Sequence, residues 1–251
     1  MEFSIFLNIE SLIFMGLVVV LIFVSQRFGS RGMILLDDLV IPIGIIGTLI
    51  GFVMMLGSEE NPKALPNGIF AALMPTLYAL IIKSLISERE GLVELDSALF
   101  SKLQGCVGLI ILIGYIMQIS AGLFAFADVA AFLYVLSSIV LIGIINLLKE
   151  QPIWHGLQKR LSGIGLLGFL IGIMLMLPGF NDPKSLGPAV AFSYLSLMYA
   201  LLILVMLRIL IPDESWRDAE VSPTDWLTLG LPFLIGLTVS ITLLLFSWLV
   251  V

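Results

Sequence analysis

Charge is what this chain of 251 residues has least of. Only 12% of it is Asp, Glu, Lys or Arg, against 60% hydrophobic residues, and the mean hydropathy is +1.16. A soluble domain carries about 25% charged residues, so this chain has too few to cover a water-facing surface. It reads as an integral membrane protein. A single cysteine, Cys106, excludes an intrachain disulfide. The formal charge of −6 comes from the loops and excludes nucleic acid as a partner. No basic residue precedes the first apolar stretch: Met1–Ile9 has none, whereas Arg27 and Arg31 follow it. A cleavable signal peptide has the opposite order. No Asp, Glu or His falls at the centre of an apolar run, where such a group is costly and usually functional. With no metal cluster, nucleophile–base pair or phosphate loop, the sequence points away from an enzyme and implies no cofactor.

Long apolar runs are what it has instead. Each lasts about 20 residues, the length a helix needs to cross the hydrocarbon. None shows the alternation of a membrane barrel, so the fold class is all-α, a polytopic membrane protein. Eight spans are expected, near 4–24, 38–57, 65–86, 103–122, 127–148, 160–178, 186–210 and 227–250. The connections are short, and an even count places both termini on one side. Lys and Arg mark cytoplasmic loops. Arg27, Arg31, Lys83, Arg89, Lys102, Lys149, Lys159, Arg160, Arg208 and Arg217 fall on one face, and only Lys63 and Lys184 on the other. The first face is expected to be cytoplasmic and the termini to lie outside.

The chain also repeats itself. Shifted by 121 residues, 14 of the 38 positions from Ile43 to Leu80 are identical without a gap. Gly44, Gly47, Gly51, Pro62, Lys63 and Tyr78 meet Gly165, Gly168, Gly172, Pro183, Lys184 and Tyr199. Leu-rich helices match by chance at Leu and Ile, not at three glycines, a Pro-Lys pair and a tyrosine in register. The expectation is two tandem four-helix units, 1–122 and 123–251, of the same orientation. Their most similar parts are the hairpins 38–86 and 160–210. Gly44, Gly47 and Gly51 share one side of a helix, as do Gly168 and Gly172. Small residues there permit close backbone approach and mark where another helix is expected.

Two threonines interrupt the first hairpin. Thr48 shares the glycine face, and Thr76 follows Pro75, whose missing N–H frees a carbonyl in mid-span. If the spans pack as a hairpin, both hydroxyls can line one polar seam; alternatively each bonds back to its own helix. The equivalent positions of the second unit are Phe169 and Leu197, so the seam is expected in the first unit only. Glu10 and Asp128 read as interfacial, Glu10 being the better functional candidate because apolar residues flank it. Lys83 is expected to snorkel, His155 to lie at the surface, and Gln118 and Ser120 to bond between helices.

At these residues the chain resembles the MotA/TolQ/ExbB proton-channel family, and in particular flagellar-stator subunits of the MotA/PomA type. The residues concerned are "GTLIG" at Gly47–Gly51, "NPKAL" at Asn61–Leu65 and "ALMPTLYA" at Ala72–Ala79, with "NDPKSLGPAVA" at Asn181–Ala191 in the second unit. The resemblance implies a divergent, internally duplicated ion-channel subunit of the bacterial inner membrane. It would assemble as an oligomer around a single-span partner bearing an intramembrane Asp, of the MotB/TolR/ExbD kind. The transported ion would be a proton or sodium. By the same resemblance Thr48, Thr76 and Tyr78 would flank the ion path, and the glycines Gly44, Gly47, Gly51, Gly168 and Gly172 would seat the partner helix. Pro62, Lys63, Pro183 and Lys184 would form the outer turns. Pro75 takes the place of the first Thr in the family's "TTLYG". A scaffold that has lost conduction and a small secondary transporter remain the alternatives.

Overall fold

A backbone in hydrocarbon has no water to bond, so a single chain crosses it as helices that satisfy their own N–H and C=O groups. The structure, a computed structural model, describes residues 8–27, 30–58, 65–86, 99–150, 157–178, 183–210 and 230. Among these the long elements are all α-helices: α1 (Ile9–Ser25), α2 (Ser30–Ser58), α3 (Leu65–Leu85), α4 (Leu99–Ser120), α5 (Val129–Leu148), α6 (Leu157–Met176) and α7 (Pro183–Leu210). A single 3-10 turn, Leu123–Phe126, separates α4 from α5. Among the described residues five helices carry an apolar stretch long enough to cross a membrane: Gly32–Met55, Asn67–Leu85, Phe100–Ser120, Val129–Leu148 and Gly187–Leu210. The chain is a polytopic all-α membrane protein. The expected span at 227–250 lies outside the described residues, as do His155, Pro62 and Lys63 and the side chains of Pro183 and Lys184.

Two of the expected spans, near 4–24 and 160–178, correspond among the described residues to shorter apolar helices, Ile9–Ser25 and Arg160–Met176, and the start of another differs from expectation. The second helix begins at Ser30 rather than 38, because Asp37 and Asp38 look like an end in sequence yet are absorbed within it. Pro42 and Pro75 also lie inside helices. Each removes one backbone donor without ending its helix.

Two compact units divide the chain, Met1–Phe126 with Val205–Ile211, and Ala127–Leu204 with Pro212–Val251. In the first, α2 and α3 pack most extensively, and α1 packs on α2, α3 and α4. The reason is visible at the glycines. A Cβ on Gly47 would lie 2.7 Å from Pro75, and one on Gly51 would lie 2.8 Å from the Ala72 backbone. On Gly44 it would strike Ala79. In the second unit, Gly165 lies against Ala200, Gly168 against Ser196 and Gly172 against Ser193. Each partner is displaced by the same 121 residues as its glycine. The aromatic ring over the middle glycine also recurs: Phe14 covers Gly47 and Tyr134 covers Gly168.

The glycine faces therefore seat helices of this same chain. At Gly44, Gly47, Gly51, Gly168 and Gly172 the helices in contact are α3 and α7 of this same chain.

Replacing Gly51 with Leu is expected to force α2 from α3 and to lower the unfolding free energy by about 1–3 kcal/mol, the usual cost of overpacking. Gly16→Leu, at an exposed glycine with open space around it, should leave the melting temperature in detergent unchanged. Equal losses from both would show that the groove is not what holds the hairpin.

Candidate functional site

A hydroxyl inside a membrane helix must find an acceptor, because hydrocarbon offers none. Thr48 lies ten residues before the end of α2 and Thr76 eleven after the start of α3. At 1.5 Å per residue, both sit about 15 Å from the turn, half the depth of the hydrocarbon. Their Oγ1 atoms are 2.7 Å apart, and either hydroxyl can donate. Thr48 is wholly buried and Thr76 half-buried. Leu49, Phe52, Met74 and Ala79 are buried along the same hairpin. The one apposition of hydroxyls in this hairpin thus occurs at mid-depth, between Gly47 and Gly51, where the backbones are close enough for two short side chains to meet.

The second hairpin differs from expectation. Phe169 and Leu197 do occupy the equivalent positions and are buried, but the seam is not free of hydroxyls. Ser193 donates to the Phe169 carbonyl at 2.8 Å, and Ser196 to the Ser193 carbonyl at 3.0 Å. These serines replace Ala72 and Pro75. Their hydroxyls bond to backbone carbonyls, whereas the threonines bond to each other.

Tyr78 is engaged elsewhere. Its hydroxyl accepts the N–H of Asn8, the N-cap of α1, at 3.0 Å. The Tyr199 hydroxyl accepts the N–H of Asp128, the N-cap of α5, at 3.1 Å. Asn8 and Asp128 in turn accept backbone N–H groups of the first helical turns. The tyrosines therefore fasten the first helix of each unit to the third. Asp128 is a cap, not merely an interfacial charge. Gln118 accepts the Leu123 N–H, a local bond rather than an interhelical one.

At the opposite end of α2, sequence reasoning missed two ion pairs. The Asp37 carboxylate pairs with Lys83 of α3, whose ammonium also donates to the Asp37 carbonyl at 3.1 Å. Asp38 pairs with Arg208 in the last turn of α7 at 3.2 Å. Lys83 does not simply reach for water. Nearby in sequence to α4's start, Lys102 is buried, and Ser101 donates to the Ser25 carbonyl at 2.7 Å. The available signal was two adjacent acids opposite basic residues at the same depth. Twenty residues separate Asp38 from the end of α2, about 30 Å, the thickness of the hydrocarbon, which sets these charges near the edge remote from the α2–α3 connection.

Above the α1 N-terminus lies a cavity of about 470 Å³. α1, α2, α3 and α4 all contribute to it, with Glu10, Ser11 and Ser120 among its polar side chains. Gly47 and Pro75, which precede Thr48 and Thr76 in the chain, also line it, as does Gly51.

Known proteins share part of this sequence. The chain is 33% identical to Motility protein A of Aquifex aeolicus (strain VF5) over 54 residues, 22% of this chain and 21% of that protein. It is 37% identical to Motility protein A of Cereibacter sphaeroides over 70 residues, 27% of this chain and 28% of that protein. It is 39% identical to Chemotaxis protein PomA of Vibrio alginolyticus over 49 residues, 20% of this chain and 19% of that protein. The matches span about a fifth to a quarter of the length of these curated relatives. No family model matches the chain, and no solved structure matches it.

These ion pairs are directly testable. Asp38→Asn removes a carboxylate that Arg208 contacts at 3.2 Å, and the loss should be about 1.5–3 kcal/mol, the usual net contribution of a hydrogen bond to a charged group. Exchanging the two charges, Asp38→Arg with Arg208→Asp, should restore much of the thermal stability lost in either single variant. Failure of the exchange to restore any would remove the pair as a stabilising contact.

Proposed function

We propose that this chain is a divergent, internally duplicated relative of the MotA/PomA stator proteins and acts as an ion-channel subunit of a bacterial inner membrane. The observation that carries the reading is the Thr48–Thr76 hydroxyl pair, buried at mid-membrane in a glycine-packed hairpin. The partial identity to motility proteins supports it. The transported ion is a proton or sodium. Several copies surround a single-span partner carrying an intramembrane Asp, which supplies the ionisable group that the middle of this hairpin lacks. Both termini face the periplasm. The partner helix does not sit on the Gly44–Gly51 ridge, which α3 fills, but against another face of the first unit. Thr48 and Thr76 act by exchanging their mutual hydrogen bond for one to the passing ion or its water. Tyr78 contributes by holding α1 in place.

A second reading has its own support. The two hydroxyls satisfy each other, and that bond helps to fasten α2 to α3, worth about 1 kcal/mol in a membrane. In a scaffold that has lost conduction, this would be its whole role.

The readings separate on one comparison. Thr48→Val with Thr76→Val is expected to abolish ion-dependent function, measured as proton or sodium flux in vesicles holding the purified complex, while copies still assemble. Thr→Ser at both sites should retain flux. The complex should also carry a single-span protein with a membrane Asp. Undiminished flux in the double Val variant would eliminate the channel role of the pair, and assembly without flux in the parent chain would favour the scaffold.

A further inference from the structure

The geometry points to a cation-collecting vestibule in the first unit, formed above the N-terminus of α1 and fronted by the Glu10 carboxylate. It rests on the ion-path reading for its purpose, though not for its chemistry. The tyrosine clamp explains why a void is there. Tyr78 lies thirteen residues into α3, so α3 continues about 20 Å beyond the level of its backbone. The hydroxyl of that tyrosine holds Asn8, where α1 begins. α1 has 17 residues, about 25 Å of helix. Held at that level, it leaves the upper flanks of α2, α3 and α4 facing a gap of about 470 Å³.

The gap is polar where it counts. Among the described residues that line it, Glu10 alone is charged, and the Asn8, Ser11 and Ser120 side chains accompany it. Pro75 cannot donate to the Ala71 carbonyl four residues earlier, and both residues line the cavity. A carbonyl released from its helix is satisfied by a neighbouring group or by water, and the cavity has room for the water. The volume accommodates several waters, each needing about 30 Å³ as liquid. The remaining walls are apolar, with Phe14, Ile50 and Met54 among them. Low-dielectric walls around one carboxylate focus its field and raise the local concentration of small cations. Through Gly47 and Pro75 the cavity reaches the residues adjoining Thr48 and Thr76. The ligand class is a hydrated monovalent cation, hydronium included.

Charge-selective thiol labelling tests this without any ion flux. The parent's only cysteine, Cys106, is buried and sets the background. Ser11→Cys and, separately, Ser120→Cys are exposed to a trimethylammonium and to a sulfonate methanethiosulfonate. The full-length protein is held in sealed vesicles of both orientations. Rates are normalised to those with a free thiol in solution. The cationic reagent should react about tenfold faster than the anionic one, within the range that field focusing produces. It should do so from one membrane face. Adding Glu10→Gln should remove most of that preference. A cavity filled by lipid would show no labelling above background at either position from either face, and this would overturn the proposal. So would a preference that Glu10→Gln leaves intact. A chain that labels as expected yet passes no ion would sink the channel reading and leave the vestibule standing.

Discussion

Everything in the first unit depends on how closely α2 approaches α3. Lipid tails are as apolar as leucine, so helices in a membrane associate through packing and polar contacts rather than through the hydrophobic effect. Gly44, Gly47 and Gly51 remove the side chains that would hold the helices apart, and Ala79, Pro75 and Ala72 enter the space. Only at that separation can two side chains as short as threonine meet at 2.7 Å. The same approach brings Lys83 onto Asp37 at the end of the hairpin remote from its connection. The hairpin thus has a hydroxyl contact along its middle and an ionic one near its open end, with tight packing between.

The second hairpin tests which of these features follow from the glycines alone. It keeps the groove, the aromatic ring over the middle glycine and the tyrosine bonded to an N-cap. It does not keep the threonine pair. Serines on α7 turn their hydroxyls to backbone carbonyls instead. Packing and capping therefore recur without the paired hydroxyls, which makes the pair a separate feature laid on a common frame. Tyr78, whose contact is shared with a unit lacking the threonines, belongs to the frame.

Much of this was legible in the residues and some was not. The all-α membrane class followed from apolar length and scarce charge, since 20 uncharged residues have few other uses. The register of the repeat followed from glycine, proline and tyrosine, whose coincidence is improbable in a leucine-rich chain. Asp37 and Asp38 misled, because adjacent acids resemble a helix end until their counter-charges are in view. Ser193 and Ser196 were not legible as counterparts of the threonines, because they stand four and one residues before Leu197, the position equivalent to Thr76. The glycine ridge was read correctly as a surface for another helix; that this helix is the next one in the chain depends on the turn folding back.

The sequence by itself determined that the chain crosses a membrane as helices, and that one helical hairpin is written twice. Those properties reside in local composition and periodicity, which each segment carries whatever its neighbours do. Only the tertiary structure decided which side chains meet: Thr48 with Thr76, Tyr78 with Asn8, Asp38 with Arg208. Residues 28, 70 and 170 positions apart have no local coupling. Their contact exists because small residues let backbones close to within reach of short hydrogen bonds, and that distance is a property of the packed pair rather than of either helix.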